Sequence, residues 1–223
     1  MSLETSSIIR KLLMALSGLF LVVFLSQHFI INLTSVFSER MFNQISHFMG
    51  NNPLVQFILQ PILIFGVIFH FFMGFVLEYY NRKSRDIKYI SFKGSSNSNW
   101  MSRNMIYSGI VVLSFLCLHF YDFWVPEMNY KYVEVLPLDS DRYYEDLIRK
   151  FKSLVRTLIY SISFFFLALH LYHGFGSSFQ TMGLNNKYSS AINLFARGFS
   201  IIIPLGFIFI AVYHYLKFKI CLI

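Results

Sequence analysis

An all-α bundle of five membrane-spanning helices is the fold this sequence predicts, and three observations predict it. The 223-residue chain is 56% hydrophobic and only 13% charged, roughly half the charge share of a soluble domain. It contains five apolar segments, each reaching the ~20 residues that cross ~30 Å of hydrocarbon as a helix. None alternates with the period of two that a barrel strand needs, and in lipid each segment must satisfy its own backbone groups, which leaves helices.

The first segment, 8–33, is flanked by Arg10 and Lys11; its apolar run is too long for a signal peptide and no small-residue cleavage site follows, so it is expected to be retained. The second, 54–77, has Pro53 at its first turn and Pro61 inside it. The third spans 105–125, the fourth 154–175 and the fifth 192–216, where Pro204 lies inside; Pro61 and Pro204 are expected to kink their helices. Residues 140–156 form an amphipathic lead-in to the fourth segment, with Ser140 or Asp141 as N-cap. Residues 94–99 (GSSNSN) make a polar loop, followed by Trp100 at belt height. Five crossings put the termini on opposite sides. The basic second connection, with Arg82, Lys83, Arg85, Lys88, Lys93 and Arg103 against Asp86, joins Arg10 and Lys11 in placing the N-terminus in the cytoplasm.

The net charge of +8 sits at the ends of the apolar segments, as lipid headgroups require, so no nucleic-acid partner is expected. Cys117 and Cys221 lie far apart, which excludes a disulfide framework, a zinc knuckle, a thiolate set for an iron–sulfur cluster and c-type haem attachment. All eleven acids read as lying outside the apolar cores, with Glu78 and Asp122 at helix ends, which argues against a proton pump or ion-coupled transporter.

Of seven histidines, four lie inside apolar segments: His28, His70, His119 and His170. Ionisable residues at that depth point to function. Counted from Leu12, Leu54, Met105 and Leu154, they lie 16, 16, 14 and 16 residues in, roughly 21 to 24 Å along each helix. Successive helices run in opposite directions, so His28 and His119 share one level and His70 and His170 another. Two levels of two histidines suit two haems, each clamped between two imidazoles from different helices. Gly66 and Gly74 flank His70 one turn away on either side and Gly174 follows His170 by one turn, leaving flat space beside the ligand. Ordinary small-residue helix packing is the other reading of these glycines. Ser17-Gly18 precedes His28 and Ser108-Gly109 precedes His119 by the same interval; eleven residues are close to three turns, so Ser17 and Ser108 lie at the level of the other haem's edge. His173 is either a propionate partner or, like His214, a headgroup-facing residue.

These segments resemble a known family, the di-haem cytochrome b membrane anchor of succinate:quinone oxidoreductases, which covers succinate dehydrogenase and fumarate reductase. The resemblance rests on Ser17-Gly18-Leu19-Phe20 through Gln27-His28-Phe29, Gly66-Val67-Ile68-Phe69-His70, Leu118-His119-Phe120-Tyr121-Asp122 and Leu167-Ala168-Leu169-His170. It runs over essentially the whole chain and looks most like the single-anchor type of Bacteroidetes and related bacteria. It implies two haem b groups with axial histidines: a distal one on His28 and His119, and a proximal one on His70 and His170 nearer the cytoplasm. It implies a flavoprotein subunit and an iron–sulfur subunit as partners in the bacterial cytoplasmic membrane, with relatives suggesting a dimer of heterotrimers. The substrate it implies at this subunit is a quinone, most similar to menaquinone; the chain itself has neither a dinucleotide fingerprint nor a cysteine cluster.

Some relatives carry an acid in the first loop, where this chain reads Phe42-Asn43-Gln44-Ile45-Ser46-His47, and some carry a carboxylate two residues before the fourth ligand, where Ala168 stands. His47, with Asn43 or Gln44, is therefore the candidate hydrogen-bond partner of the quinone near the distal haem. Trp100 and Arg103 are candidates to face the iron–sulfur subunit and the proximal propionates. The competing readings are the di-haem anchor of a hydrogenase or formate dehydrogenase, whose histidine spacings differ, and a transporter without cofactor.

Overall fold

The computed structural model describes residues 7–83, 105–184 and 188–220. Trp100, Arg103 and most of the basic second connection lie outside the described residues. The described chain is helical, with no strand among the described residues, and five of its helices are long and apolar enough to cross a membrane. In order the elements are α1 (Ser7–Phe37), α2 (Glu39–Asn51), α3 (Val55–Lys83), α4 (Met105–Val133), α5 (Arg142–Phe151), α6 (Leu154–Thr181) and α7 (Ser189–Ile220). The five spans match the five apolar segments and overrun them, most of all in α4, which continues eight residues past the expected end at Val125.

That overrun has a local cause. The helical turn widens at Val55–Leu59, at Phe120–Trp124 and again at Asn129–Val133, where amides bond five residues back. At the first two, Gln60 N–H reaches the Val55 carbonyl and Val125 N–H reaches that of Phe120, and a proline follows at once, Pro61 or Pro126. Proline has no amide hydrogen, and its ring collides with the carbonyl four residues back; a wider turn accommodates both without ending the helix. Pro204 lies buried inside α7, where the helix keeps its α-helical form.

The region expected as a loop around His47 is the amphipathic helix α2, begun by Ser38, whose hydroxyl accepts from Met41 N–H at 3.2 Å. The lead-in before the fourth span is α5, with Asp141 at its N-cap and Tyr144, Leu147 and Phe151 buried along one face. Ser153 separates it from α6, which begins at Leu154. Asn43 of α2 ties the two short helices together: its Nδ2 donates to the Asp141 carbonyl (2.9 Å) and its Oδ1 accepts from Tyr144 N–H (2.8 Å).

Among the spans, α1 packs on α3, α3 on α4, α4 on α6 and α6 on α1, which closes a four-helix ring; α7 lies outside, against α1 and α6. The hydrophobic core is concentrated at one end, where Phe42, Tyr144, Leu147, Phe151, Tyr160, Phe164, Phe207, Ile210 and Ala211 join α2, α5, α6 and α7. The outer faces of α1 and α3 expose large apolar side chains such as Val23, Phe57, Phe65 and Phe72, as lipid-facing helices do.

Candidate functional site: two histidine pairs across the bundle

The ring of four helices has two diagonals, α1 to α4 and α3 to α6, and histidines meet across both. His28 and His119 rings lie 5.8 Å apart, centroid to centroid, at an interplanar angle of 86°. His70 and His170 lie 6.2 Å apart at 77°. The sequence-expected pairing is therefore the observed one.

The partners of the His70/His170 pair fix its chemistry. Ser17 donates its hydroxyl proton to the Met14 carbonyl (2.9 Å), so toward His70 Nδ1, 3.1 Å away, it can only accept. Nδ1 of His70 then carries the ring proton, and Nε2 keeps a free lone pair. The same reasoning holds on the opposite helix: Ser108 donates to the Met105 carbonyl (2.8 Å) and faces His170 Nδ1 at 3.4 Å. Beside each serine is a glycine whose missing side chain leaves the ring its room. A Cβ on Gly18 would stand 3.4 Å from His70 Cε1, and one on Gly109 would stand 3.6 Å from His170 Cε1. The Ser-Gly pairs of α1 and α4 thus each hold one histidine of the other level.

At the His28/His119 level the polar partners differ. Asn32 donates its amide both to the His28 carbonyl (2.8 Å) and toward His28 Nε2 (3.3 Å), so this ring also carries its proton on Nδ1, and its lone pair faces an exchangeable amide. His119 packs among Phe115, Phe123 and Tyr160, and its Nδ1 is buried with no hydrogen-bond partner. An unsatisfied buried ring nitrogen is costly, and among the described residues His173 Nε2 and His214 Nδ1 share that state.

The other expected residues fall as follows. Gly66 and Gly74 face α1: a Cβ at Gly66 would meet the Phe20 ring at 2.6 Å and one at Gly74 would meet Met14 at 3.7 Å, and Gly174 faces Met105 on α4. These three serve close helix approach, the packing reading of the glycines, while Gly18 and Gly109 are the ones against the histidines. His173 Nε2 is buried with no hydrogen-bond partner, and His214 does not face the headgroups: it is buried, 2.9 Å from Ser35 Oγ through Nε2.

His47 sits half-buried on α2, with its ring 6.3 Å from that of Tyr143 on α5. Asn51 donates to the His47 carbonyl (2.9 Å) and to His47 Nδ1 (3.1 Å), repeating the arrangement of His28 and Asn32. Nδ1 is therefore the acceptor, and His47 presents Nε2–H as a donor. Gln27, next to His28, contacts Met49 at 3.9 Å, so α2 lies against α1 at the His28 level. Both ends of the Asn43 amide are used by α5, whereas Gln44 is exposed.

Around His47, Glu127 on α4 gathers Arg142 in a direct ion pair, Lys131 at 2.5 Å and the Tyr143 hydroxyl at 3.4 Å. Arg142 lies over the rings of Tyr130 (4.0 Å) and Tyr143 (4.5 Å), and Lys131 and Gln56 both donate to the Gly50 carbonyl. Burial works against the Arg142 charge, but the Glu127 hydrogen bond and charge outweigh it and raise its pKa. Burial, with Glu127 adding to it, pushes the Tyr143 hydroxyl up to about 12.

Sequence reasoning missed Asp122. Because α4 continues to Val133, Asp122 is not at a helix end but inside the span, on the wide turn after His119, and its side chain is fully buried. The sign was the proline after it: Pro126 reads as a helix stop unless a widened turn carries the helix past it.

Two imidazoles bonded to one metal at about 2.0 Å on opposite sides, each ring centre about 1.2 Å beyond its nitrogen, have centroids about 6.4 Å apart. The His70/His170 pair, at 6.2 Å, comes close to that separation, and the His28/His119 pair, at 5.8 Å, is about 0.6 Å tighter. Among the described residues no three His, Cys, Asp or Glu side chains converge on one point. Comparison with known proteins adds no relative to this geometry: no family model matches the chain, and no curated protein or solved structure matches it.

Proposed function

We propose that the chain is the membrane anchor and electron-transfer subunit of a succinate:quinone oxidoreductase, binding two b haems through His28 with His119 and His70 with His170. The observation that carries this is the meeting of four imidazoles in two pairs, with ring centroids 5.8 and 6.2 Å apart, across both diagonals of one ring of helices. Haem bound in this way supplies single-electron transfer between an iron–sulfur subunit and a membrane quinone. The chain's own residues do the rest. Ser17 and Ser108 orient the proximal rings through Nδ1, and Gly18 and Gly109 leave those rings their space. His47, with Nε2–H as donor, hydrogen-bonds a quinone, by resemblance menaquinone, at the His28 level. The dicarboxylate chemistry belongs to a flavoprotein partner; the basic connection after α3, including Arg103, faces the partner subunits in the cytoplasm of a bacterium.

The test is a dithionite-reduced minus oxidised spectrum with a pyridine haemochrome assay on the purified protein. Two b haems per chain, falling to one in His70→Ala, are expected. A well-folded preparation without haem overturns the reading. Within it, His47→Ala is expected to slow quinone-linked turnover, and unchanged turnover removes His47 from the quinone site.

A further inference from the structure

Asp122 is the one buried carboxylate among the described residues, the proposed function gives it no task, and its setting is costly. Its side chain has 0% exposure inside a membrane span. Tyr160 of α6 donates its hydroxyl to Oδ2 at 3.0 Å, while Lys150 of α5 and Arg156 of α6 approach Oδ1, each at 3.4 Å, from 23% and 31% exposed positions. A hydrophobic residue would fill this volume without the cost of desolvating a charge, and ionisable groups at this depth are functional by default.

The network leads to one place. Asp122 follows His119 by three residues, and Tyr160 of α6 contacts both. The Tyr160 ring, anchored by its hydroxyl to Asp122, packs edge-on against the His119 imidazole at 6.3 Å and against Phe115 at 5.0 Å. One anion and two cations thus stand beside one histidine pair, and no such set accompanies His70 and His170 among the described residues.

We infer that Asp122 is a positioning residue for the His28/His119 haem: through Tyr160 it fixes the His119 ring, and with Lys150 and Arg156 it sets that haem's reduction potential. The inference rests on the proposed function. A bis-imidazole haem iron with its dianionic porphyrin has one positive charge when ferric and none when ferrous. A nearby buried anion therefore favours the oxidised state, and nearby cations favour the reduced one.

The experiment is a potentiometric titration of the haem spectrum of the purified protein, repeated in a His70→Ala background that retains only the His28/His119 haem. Asp122→Asn keeps an acceptor for Tyr160 and removes the charge; it is expected to raise one midpoint by at least a tenfold change in the reduction equilibrium, about 59 mV for one electron, leaving the other haem in place. Arg156→Gln, at a partly exposed site, is expected to lower the same midpoint, and Asp122→Glu to restore it. Tyr160→Phe, which keeps the charge, is expected to broaden the low-spin spectrum of that haem with a smaller change in potential. Two haems with both midpoints unmoved in Asp122→Asn, or equal shifts of both, overturn this inference alone. If Asp122→Asn does not assemble, an unmoved midpoint in Arg156→Gln overturns it. Absence of haem from the wild type overturns the proposed function and this inference with it.

Discussion

Two glycines show how one missing methyl group fixes a helix contact. A Cβ at Gly206 would stand 2.4 Å from the Phe29 ring, and one at Gly66 would stand 2.6 Å from Phe20. Phe20 is exposed and can swing toward lipid, whereas Phe29 is held edge-on against Phe207 at 5.2 Å. Gly206→Ala is expected to destabilise by about 1 to 3 kcal/mol, as overpacked cores do, and Gly66→Ala by less than about 1 kcal/mol; thermal unfolding in detergent compares them. Any one of the four histidines alone reads equally well as a neutral imidazole bonded to a neighbouring helix; their pairing was legible in the sequence from their arrangement, 16, 16, 14 and 16 residues into alternately directed segments. Their partners were less so. Serine, glycine and asparagine occur at every helix contact, and only the direction of the Ser17 and Ser108 protons shows which ring nitrogen is free.

Short helices carry the polar chemistry at the His28 end, and Asn43 is their clamp. Asn43→Ala removes both the acceptor of Tyr144 N–H and the donor to the Asp141 carbonyl, an expected loss of about 1 to 3 kcal/mol. Asn43→Asp, which keeps only the acceptor, is expected to lose less. Tyr143 adds a pH dependence. Its pKa rises from an ordinary 10.0 to about 12 on folding, so the unfolded chain releases this proton first. Stability is unaffected below pH 10 and falls as pH climbs toward about 12. Tyr143→Phe is expected to flatten that alkaline limb, measured as unfolding against pH. The short helix α2 was hidden from sequence reading because its apolar face is narrow and polar residues dominate it. The lead-in helix α5 was visible, since Tyr144, Leu147 and Phe151 mark one face so plainly.

At the level of the whole molecule the chain repeats itself: α1 with α3 and α4 with α6 each supply one Ser-Gly pair and two histidines, one to each level. The five spans followed from composition, and the two levels from helix direction. The diagonal arrangement did not, because which helices neighbour one another is decided by packing that no single segment records. The orientation proposed from the basic residues has its own test. In a background with Cys117 and Cys221 replaced by Ser, Leu138→Cys in the exposed link between α4 and α5 is expected to react with an impermeant maleimide in intact cells, and Lys83→Cys only after lysis. The reverse pattern inverts the topology and moves His47 to the cytoplasmic side.

Of the three wide turns that break this repeat, the one at Phe120–Trp124 falls just after the third histidine. Each residue advances a helix by about 100°, so one extra residue in a turn re-aims everything after it while leaving His119 where the first half's pattern requires. Superposing the two halves should therefore require a single-residue gap just after the third histidine. Deleting one residue there is expected to spare the Ser108-to-His119 register and swing Glu127 and Lys131 away from Gly50, detaching the surface network from the bundle that carries it.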